Sequence, residues 1–277
     1  TLFRSGDDRI YTGGGPDIVM GGSGNDVIDT AGSEDGYADA DVVVGDEGRA
    51  TLVHGAVTFV HTLDTAADHL PADADRITTG NGPDLVLGGI GNDTIDARGD
   101  DSFDRDVVIG DDGSVRLFER RVIELRNDFF ALGGSGAWGR DDVIFTGKDR
   151  DLVLGGLGSD FVDSGGADDH ILADNGQLIL FKGEVADLHL FNPTLGGDDM
   201  LTGGTGNDML YGQYGNDTFI FAGGELGADH VFEAGDESGL PNDFHDLLDF
   251  SAFAGPMRLD LAVTDPQVVH PEHLTLK

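Results

Sequence analysis

"GGSGNDVID" occupies residues 21–29, and close copies recur as "GGIGNDTID" (88–96), "GGLGSDFVD" (155–163) and "GGTGNDMLY" (203–211). Each copy sets three glycines and an aspartate ahead of a short apolar alternation. Glycine loses more conformational freedom on folding than any other residue, so three of them in four positions need a compensating role. A word kept at fixed spacing is the signature of stacked repeats.

Nine-residue windows with aspartate at position six extend the pattern to sixteen, in four units. Their aspartates are Asp8, Asp17, Asp26 and Asp41; Asp75, Asp84, Asp93 and Asp106; Asp142, Asp151, Asp160 and Asp169; and Asp199, Asp208, Asp217 and Asp229. Position eight played no part in the alignment, yet it is apolar in every window. It reads Ile10, Val19, Ile28, Val43, Ile77, Val86, Ile95, Val108, Ile144, Val153, Val162, Ile171, Leu201, Leu210, Phe219 and Val231. These residues are mostly β-branched, which suits short strands. Each window therefore reads as a glycine-rich turn followed by a short strand whose position eight faces a core.

A longer period overlies the first, with Asp8, Asp75 and Asp142 spaced 67 residues apart. After the fourth window of three units come "GDEG" (45–48), "GDDG" (110–113) and "ADNG" (173–176). These read as hairpin turns joining "DVVV" to "ATLVH", "DVVI" to "SVRLF" and "DHIL" to "QLILF", with Asp111, Asp112 and Asp174 as exposed turn formers. Alternating runs follow at 56–61, 121–126 and 184–190, giving each unit an antiparallel arm. Polar linkers such as 63–74 and 131–139 separate the units. The expected division is 3–62, 70–127 and 137–191 for three units with arms. A fourth unit with a closing segment spans 194–253, and a tail spans 254–277.

Composition narrows the function. The 277 residues carry 53 acidic and 16 basic side chains, a formal net charge of −37. That balance excludes nucleic acid, which needs a basic footprint, and it disfavours an anionic membrane surface. The 39% hydrophobic content at regular spacing describes an ordered chain whose folded state includes cations. Cysteine is absent, and no apolar run reaches membrane-spanning length. The start "TLFRSGDDRI" has neither Met nor a signal-peptide core. We expect a piece of a longer protein, or export without a cleaved N-terminal signal. No nucleophile elbow, P-loop or metalloprotease helix is present, so the expectation is a non-enzyme. His54, His61 and His189 read as surface or edge residues, Asp265–Pro266 as a loop dipeptide, and Trp138 with Phe129 and Phe130 as a cap.

The repeated word has the form GGxGxDxUx, with U a large apolar residue, which is a calcium-binding β-helix signature. Ca²⁺ is hard and takes six to eight oxygens, readily from carboxylates and backbone carbonyls. A glycine turn can aim several carbonyls at one point, and the aspartate closes the cage. On these residues the chain resembles the RTX, or haemolysin-type, calcium-binding repeat family. The resemblance implies an all-β fold of parallel β-roll (β-helix or solenoid) coils; the antiparallel β-hairpin arms interspersed among them are read from the strand pattern alone.

In that family two nonapeptides make one coil, and calcium sits between successive turns on each side. The pairs Asp8–Asp26, Asp75–Asp93, Asp142–Asp160, Asp199–Asp217 and Asp151–Asp169 are each 18 residues apart. Asp17–Asp41, Asp84–Asp106 and Asp208–Asp229 become so once insertions of six, four and three residues are removed. Turn-carbonyl ligands are implied at Gly13, Gly15, Gly21, Ser23, Gly24, Gly80, Gly82, Gly88, Gly91, Gly155, Gly158, Gly203 and Gly206. Position four departs from glycine at Asp39, Asp73, Asp104, Arg140, Asp149 and Ala167, and Arg140 places a cation beside the Asp142–Asp160 site. Residues 231–253 are similar to the segment that closes such rolls.

The resemblance implies a secreted, extracellular or cell-surface module of the type I secretion class. It would fold on calcium and serve as a spacer or scaffold in a larger secreted protein. The alternative is an adhesin-type module whose arms bind a polysaccharide or a surface. Four separate units with two facing pairs each would hold eight ions. One continuous roll, with eight aspartates and seven gaps per side, would hold fourteen.

Overall fold

The computed structural model describes residues 6–32, 39–63, 73–99, 105–127, 140–191, 196–232, 245–254, 267–270 and 274–276. Among them there is no helix. The first unit contributes β1 (Arg9–Tyr11), β2 (Ile18–Met20), β3 (Val27–Asp29), β4 (Val42–Val44), β5 (Gly48–Val53) and β6 (Ala56–Thr62). The second contributes β7 (Arg76–Thr78), β8 (Leu85–Leu87), β9 (Thr94–Asp96), β10 (Val107–Ile109), β11 (Gly113–Phe118) and β12 (Arg121–Asn127). The third contributes β13 (Val143–Gly147), β14 (Leu152–Leu154), β15 (Phe161–Gly165), β16 (His170–Leu172), β17 (Gly176–Phe181) and β18 (Glu184–Leu190). Then follow β19 (Met200–Thr202), β20 (Met209–Tyr211), β21 (Thr218–Ile220), β22 (His230–Phe232) and β23 (Leu247–Asp249), with a separate pair β24 (Gln267–His270) and β25 (Leu274–Leu276).

The strands alternate between two parallel sheets. One runs β1-β3-β7-β9-β13-β15-β19-β21-β23 and the other β2-β4-β8-β10-β14-β16-β20-β22. Pairing continues across the unit boundaries, with Ile28 opposite Ile77, Ile95 opposite Ile144 and Val162 opposite Leu201. The second sheet does the same at Val43–Val86, Val108–Val153 and Ile171–Leu210. The four units therefore stack as one roll. Its core is the column of position-eight side chains trapped between the sheets; from Ile10 to Phe219 all are buried, and Val231 and Leu248 pack against them.

Strands of the two sheets differ in how they are covered. In the first sheet the three-residue strands from Arg9–Tyr11 to Thr218–Ile220 bury only their middle residue, as in Arg9–Tyr11 or Thr94–Asp96. In the second, Val42–Val44, Leu85–Leu87, Val107–Ile109 and Leu152–Leu154 are buried at every position. Strands covered on both faces need continuous apolar runs, and "VVV", "LVL" and "VVI" supply them. The cover is a third, antiparallel sheet, β18-β17-β12-β11-β6-β5, built from the three arms joined edge to edge. Its inward residues Val60, Val115, Leu125 and Leu178 pack on Val44, Leu87, Ile109 and Leu154 to form a second core.

The hairpin turns lie elsewhere than the sequence suggested. Residues 45–48, 110–113 and 173–176 do not fold β4, β10 or β16 back on the following strand. They carry the chain from the second sheet across to the hairpin sheet. The tight turns are His54–Gly55, Glu119–Arg120 and Lys182–Gly183, each with positive φ at both central residues, as the twist of a two-residue hairpin requires. The reason is burial: the apolar ends of β4 and β10 are already paired within the second sheet and cannot also accept an antiparallel neighbour.

The layers also match in pitch. Arms leave after β4, β10 and β16, which are every second strand of their sheet. Two coils advance by two strand spacings, about 10 Å, and a two-stranded hairpin has the same width. Each arm can thus meet its neighbour without gap or overlap. His54 sits at an exposed tip, His61 stacks on Phe59 at 5.0 Å, and His189 lies on an edge strand, paired with Asp187 at 3.2 Å. Trp138, Phe129, Phe130, Asp265–Pro266 and most of the two linkers lie outside the described residues.

Candidate metal centre

The turns stack closer than a side chain permits. A Cβ on Gly82 would stand 1.6 Å from the Asp39 carbonyl oxygen, and one on Gly91 1.8 Å from that of Asp73. Both glycines hold a φ near +130°, closed to most other residues. The glycines opening the turns leave room of another kind. A Cβ on Gly21, Gly88 or Gly155 would lie 2.3, 2.5 or 2.5 Å from Oδ2 of Asp26, Asp93 or Asp160. The same point lies 2.1, 2.1 or 2.2 Å from the carbonyl oxygen of Gly45, Gly110 or Ala173, on the next coil. Omitting the methyl group leaves a space edged by one carboxylate oxygen and one carbonyl oxygen.

The position-six aspartates form two continuous ladders. On the side entering the first sheet, the Asp8 amide donates to Asp26 Oδ1 at 2.7 Å, and the pattern repeats through Asp75, Asp93, Asp142, Asp160, Asp199 and Asp217 at 2.7–2.9 Å. The ladder ends on Asp246, which accepts from the Asp217 amide at 3.0 Å. On the other side Asp17, Asp41, Asp84, Asp106, Asp151, Asp169, Asp208 and Asp229 are linked in the same way at 2.7–3.1 Å. All sixteen expected aspartates are therefore on the ladders.

Many rungs use only one carboxylate oxygen; Asp151 uses both, its Oδ2 accepting the Gly147 amide at 3.1 Å. Oδ2 of Asp26, Asp75, Asp93, Asp142, Asp160, Asp199 and Asp217, and of Asp17, Asp169 and Asp208 opposite, is buried without a hydrogen-bond partner. A buried polar atom left unpaired costs about 1–3 kcal/mol, and more if charged. The proton affinities respond accordingly. Burial, followed by the neighbouring carboxylates, pushes Asp169 up to about 10 and Asp229 up to about 8. Burial raises Asp75 and Asp199 to about 8 against the hydrogen bonds each accepts from the preceding coil. Asp93, Asp142 and Asp160 are driven well above the ordinary range for the same reason.

Such a site suits a hard divalent cation. Among the described residues no three acidic or histidine side chains converge on one point as a metal cluster would require. Ions along the ladders would therefore draw most of their oxygens from turn carbonyls, with the orphaned Oδ2 atoms supplying charge. Oxygen-only donors of this kind are what calcium takes.

The model for the RTX calcium-binding nonapeptide repeat matches the chain four times, over residues 4–35, 72–104, 139–176 and 194–225. The chain belongs to the RTX calcium-binding repeat family. No curated protein sequence matches it significantly. RTX repeats bind calcium and are structural, and the four matched segments contain thirteen of the sixteen position-six aspartates, all but Asp41, Asp106 and Asp229.

Several residues of this RTX roll went unread in the sequence. Asp111, Asp112 and Asp174, expected as exposed turn formers, are buried at 3%, 5% and 1% exposure. With Asp46 they stand where each arm leaves the roll and replace the second glycine of a split turn or the residue after it. Asp246 continues a ladder beyond the last window; its signal was the echo "DLLDF", with Leu248 on the core. An outer ladder also exists. Asp7 accepts from the Asn25 amide, Asn25 from Ala74, Asp141 from Ser159, and Asp198 from Asn216, at 2.8–3.1 Å. Its signal is the Asp, Asn or Ser at position five. Among the expected carbonyls, that of Ser23 accepts the Gly6 amide at 2.6 Å, and the Gly15 amide donates to Asp39 at 2.6 Å.

Proposed function

We propose that this chain is a calcium-folded rod, a spacer or scaffold in a larger secreted protein, which orders on meeting extracellular calcium. The carrying observation is the row of buried, partnerless Oδ2 atoms facing the spaces left by the glycines. The ligands would be the ladder aspartates, with turn carbonyls at positions one to four, among them Gly21, Gly24, Gly88, Gly91, Gly155 and Gly158. Ions between successive rungs number up to fifteen, from eight steps on one side and seven on the other. Extracellular-type sites bind at about 10⁻⁴–10⁻³ M, so a low-calcium cytosol would leave the chain open for export. The test is a calcium titration followed by circular dichroism and calorimetry. Strand signal should rise cooperatively with several ions bound; full structure in metal-free buffer, unchanged by calcium, would overturn the proposal.

A second reading makes the arms a binding face for an acidic polysaccharide. One cross-strand row of the hairpin sheet reads Arg49–His61–Ser114–Arg126–Gln177–His189. By strand alternation it lies opposite the buried Val60, Val115, Leu125 and Leu178. It holds no acid in a chain of net charge −37. Glycan-array binding lost on Arg49→Ala would favour this reading, and an array without hits would remove it.

A further inference from the structure

The three arms leave the roll through the same residue. Asp46, Asp111 and Asp174 each follow a strand of the second sheet, and each turns its carboxylate over the turn of the next coil. There Oδ2 accepts the backbone amide of Ile90, Leu157 and Tyr214 respectively, at 2.6 Å for Leu157 and 2.8 Å for Tyr214. All three are at least nine-tenths buried. None belongs to the nonapeptide's acidic position, because each stands where the repeat has glycine.

Their counter-charges differ. Arg140, at position four of the turn that the second arm splits, points its guanidinium inward with the side chain 10% exposed. Its Nη1 lies 3.5 Å from Asp111 Oδ1 and 3.6 Å from Asp112 Oδ2. The equivalent residue is Asp73 at the first arm and Gly197 at the third, so neither supplies a cation. Oδ1 of Asp46 and Oδ1 of Asp174 are instead buried without a hydrogen-bond partner. The glycines below are shaped to these carboxylates: a Cβ on Gly89 would sit 2.4 Å from Asp46 Oδ2, and one on Gly196 2.0 Å from Asp174 Oδ1.

We infer that the arm roots are clamped to the roll by a cation in every case: a divalent metal ion held by Asp46 and by Asp174, and the guanidinium of Arg140 in place of that ion at Asp111. The inference rests on the calcium-binding reading above and adds two ligands outside the repeat motif, together with one arm root closed to metal. The electrostatics agree in direction. Burial, then the charge of Asp75, lifts Asp46 to about 10, whereas Asp111, as deeply buried but facing Arg140, reaches only about 7. An isolated buried carboxylate of the first kind needs either a proton or a metal ion.

The experiment counts ions in the full chain refolded in calcium chloride, by native mass spectrometry and by calcium-anomalous diffraction. Asp46→Asn and Asp174→Asn should each lose one ion, at the first and third arm roots. Arg140→Gln should gain one, at the second, and Arg140→Lys should leave the count unchanged. A purely structural role for Arg140 cannot produce a gain. Should Arg140→Gln fail to fold, Asp73→Arg carries the same test in reverse and should lose the ion at the first arm root. A wild-type chain that bound no calcium would overturn the function proposed above and this inference with it. A normal wild-type count, unchanged in the Asn variants and in Arg140→Gln or Asp73→Arg, would overturn this inference alone.

Discussion

Acid should act on the metal-free and calcium-loaded forms in opposite directions. Asp75 is 3% exposed, and burial raises it to about 8 in the folded, metal-free state, with Asp26 and Asp73 adding repulsion. Its unfolded value is near 3.9. Between these values the folded chain holds a proton that the unfolded chain does not, so stability falls as pH rises through that window. Its contribution is fully present below about pH 4 and is gone above about pH 8. At about 1.4 kcal/mol per unit, Asp75 alone accounts for about 5 kcal/mol, the whole stability of a modest domain. Asp199, also raised to about 8, acts the same way. With calcium bound the sign reverses: the ion holds these carboxylates charged, and protons compete with it, so stability falls as pH falls. The strand signal of dialysed metal-free protein should therefore rise from about pH 8 to about pH 5, while the extra stability given by millimolar calcium shrinks over the same range, the two forms converging without crossing because calcium binds only the folded chain. A metal-free strand signal that is flat or falls towards pH 5 would refute the reasoning.

Gly91→Ala should cost more than about 4 kcal/mol, since its Cβ would overlap the Asp73 carbonyl, whereas Gly13→Ala, with nothing within 4 Å, should cost only the 1–2 kcal/mol of its positive φ; similar melting temperatures for the two would contradict the stacking described. Asp111→Ala removes one of the two carboxylates facing the buried Arg140 and leaves the Leu157 amide without its acceptor, and should lose about 1–3 kcal/mol, while Asp187→Ala, in an exposed pair with His189, should stay within about 0.5 kcal/mol by thermal melts. Leu125→Ala empties a fully buried position beneath the hairpin sheet and should cost about 2–5 kcal/mol in calcium, with faster amide exchange in the arms than in the position-eight strands; uniform exchange would show that the two cores are one cooperative unit.

The roll was legible because its signals are local and repeated. Ile28, Ile77 and Ile95 occupy the same place in their windows, and the side-to-side alternation of the aspartates follows from the nine-residue count. The arms were legible as strand pairs, from the alternation of "AVTFVH" and "RVIELR". Their destination was not, since only the apolar flanks of Val43, Val86 and Val108 show that the second sheet is covered on both faces. Asp111 was misread because "GDDG" is good turn chemistry. Its burial depends on Leu157, 46 residues away, whose amide it accepts. Asp246 escaped because 29 residues, instead of 18, separate it from Asp217.

The matched pitch of roll and hairpin sheet bears on how the chain avoids error. Val19, Val43, Val86 and Val108 are interchangeable side chains, so a growing roll could zip up one coil out of step with little loss in its first core. The arms remove that freedom. Phe59 meets Arg116 and Leu125 meets Leu178 only when successive arms stand two coils apart. A slip of one coil would open a gap one strand wide and expose unpaired edges on both sides of it. The hairpin sheet thus works as a ruler laid along a monotonous stack, marking which coil is which where the coils themselves cannot.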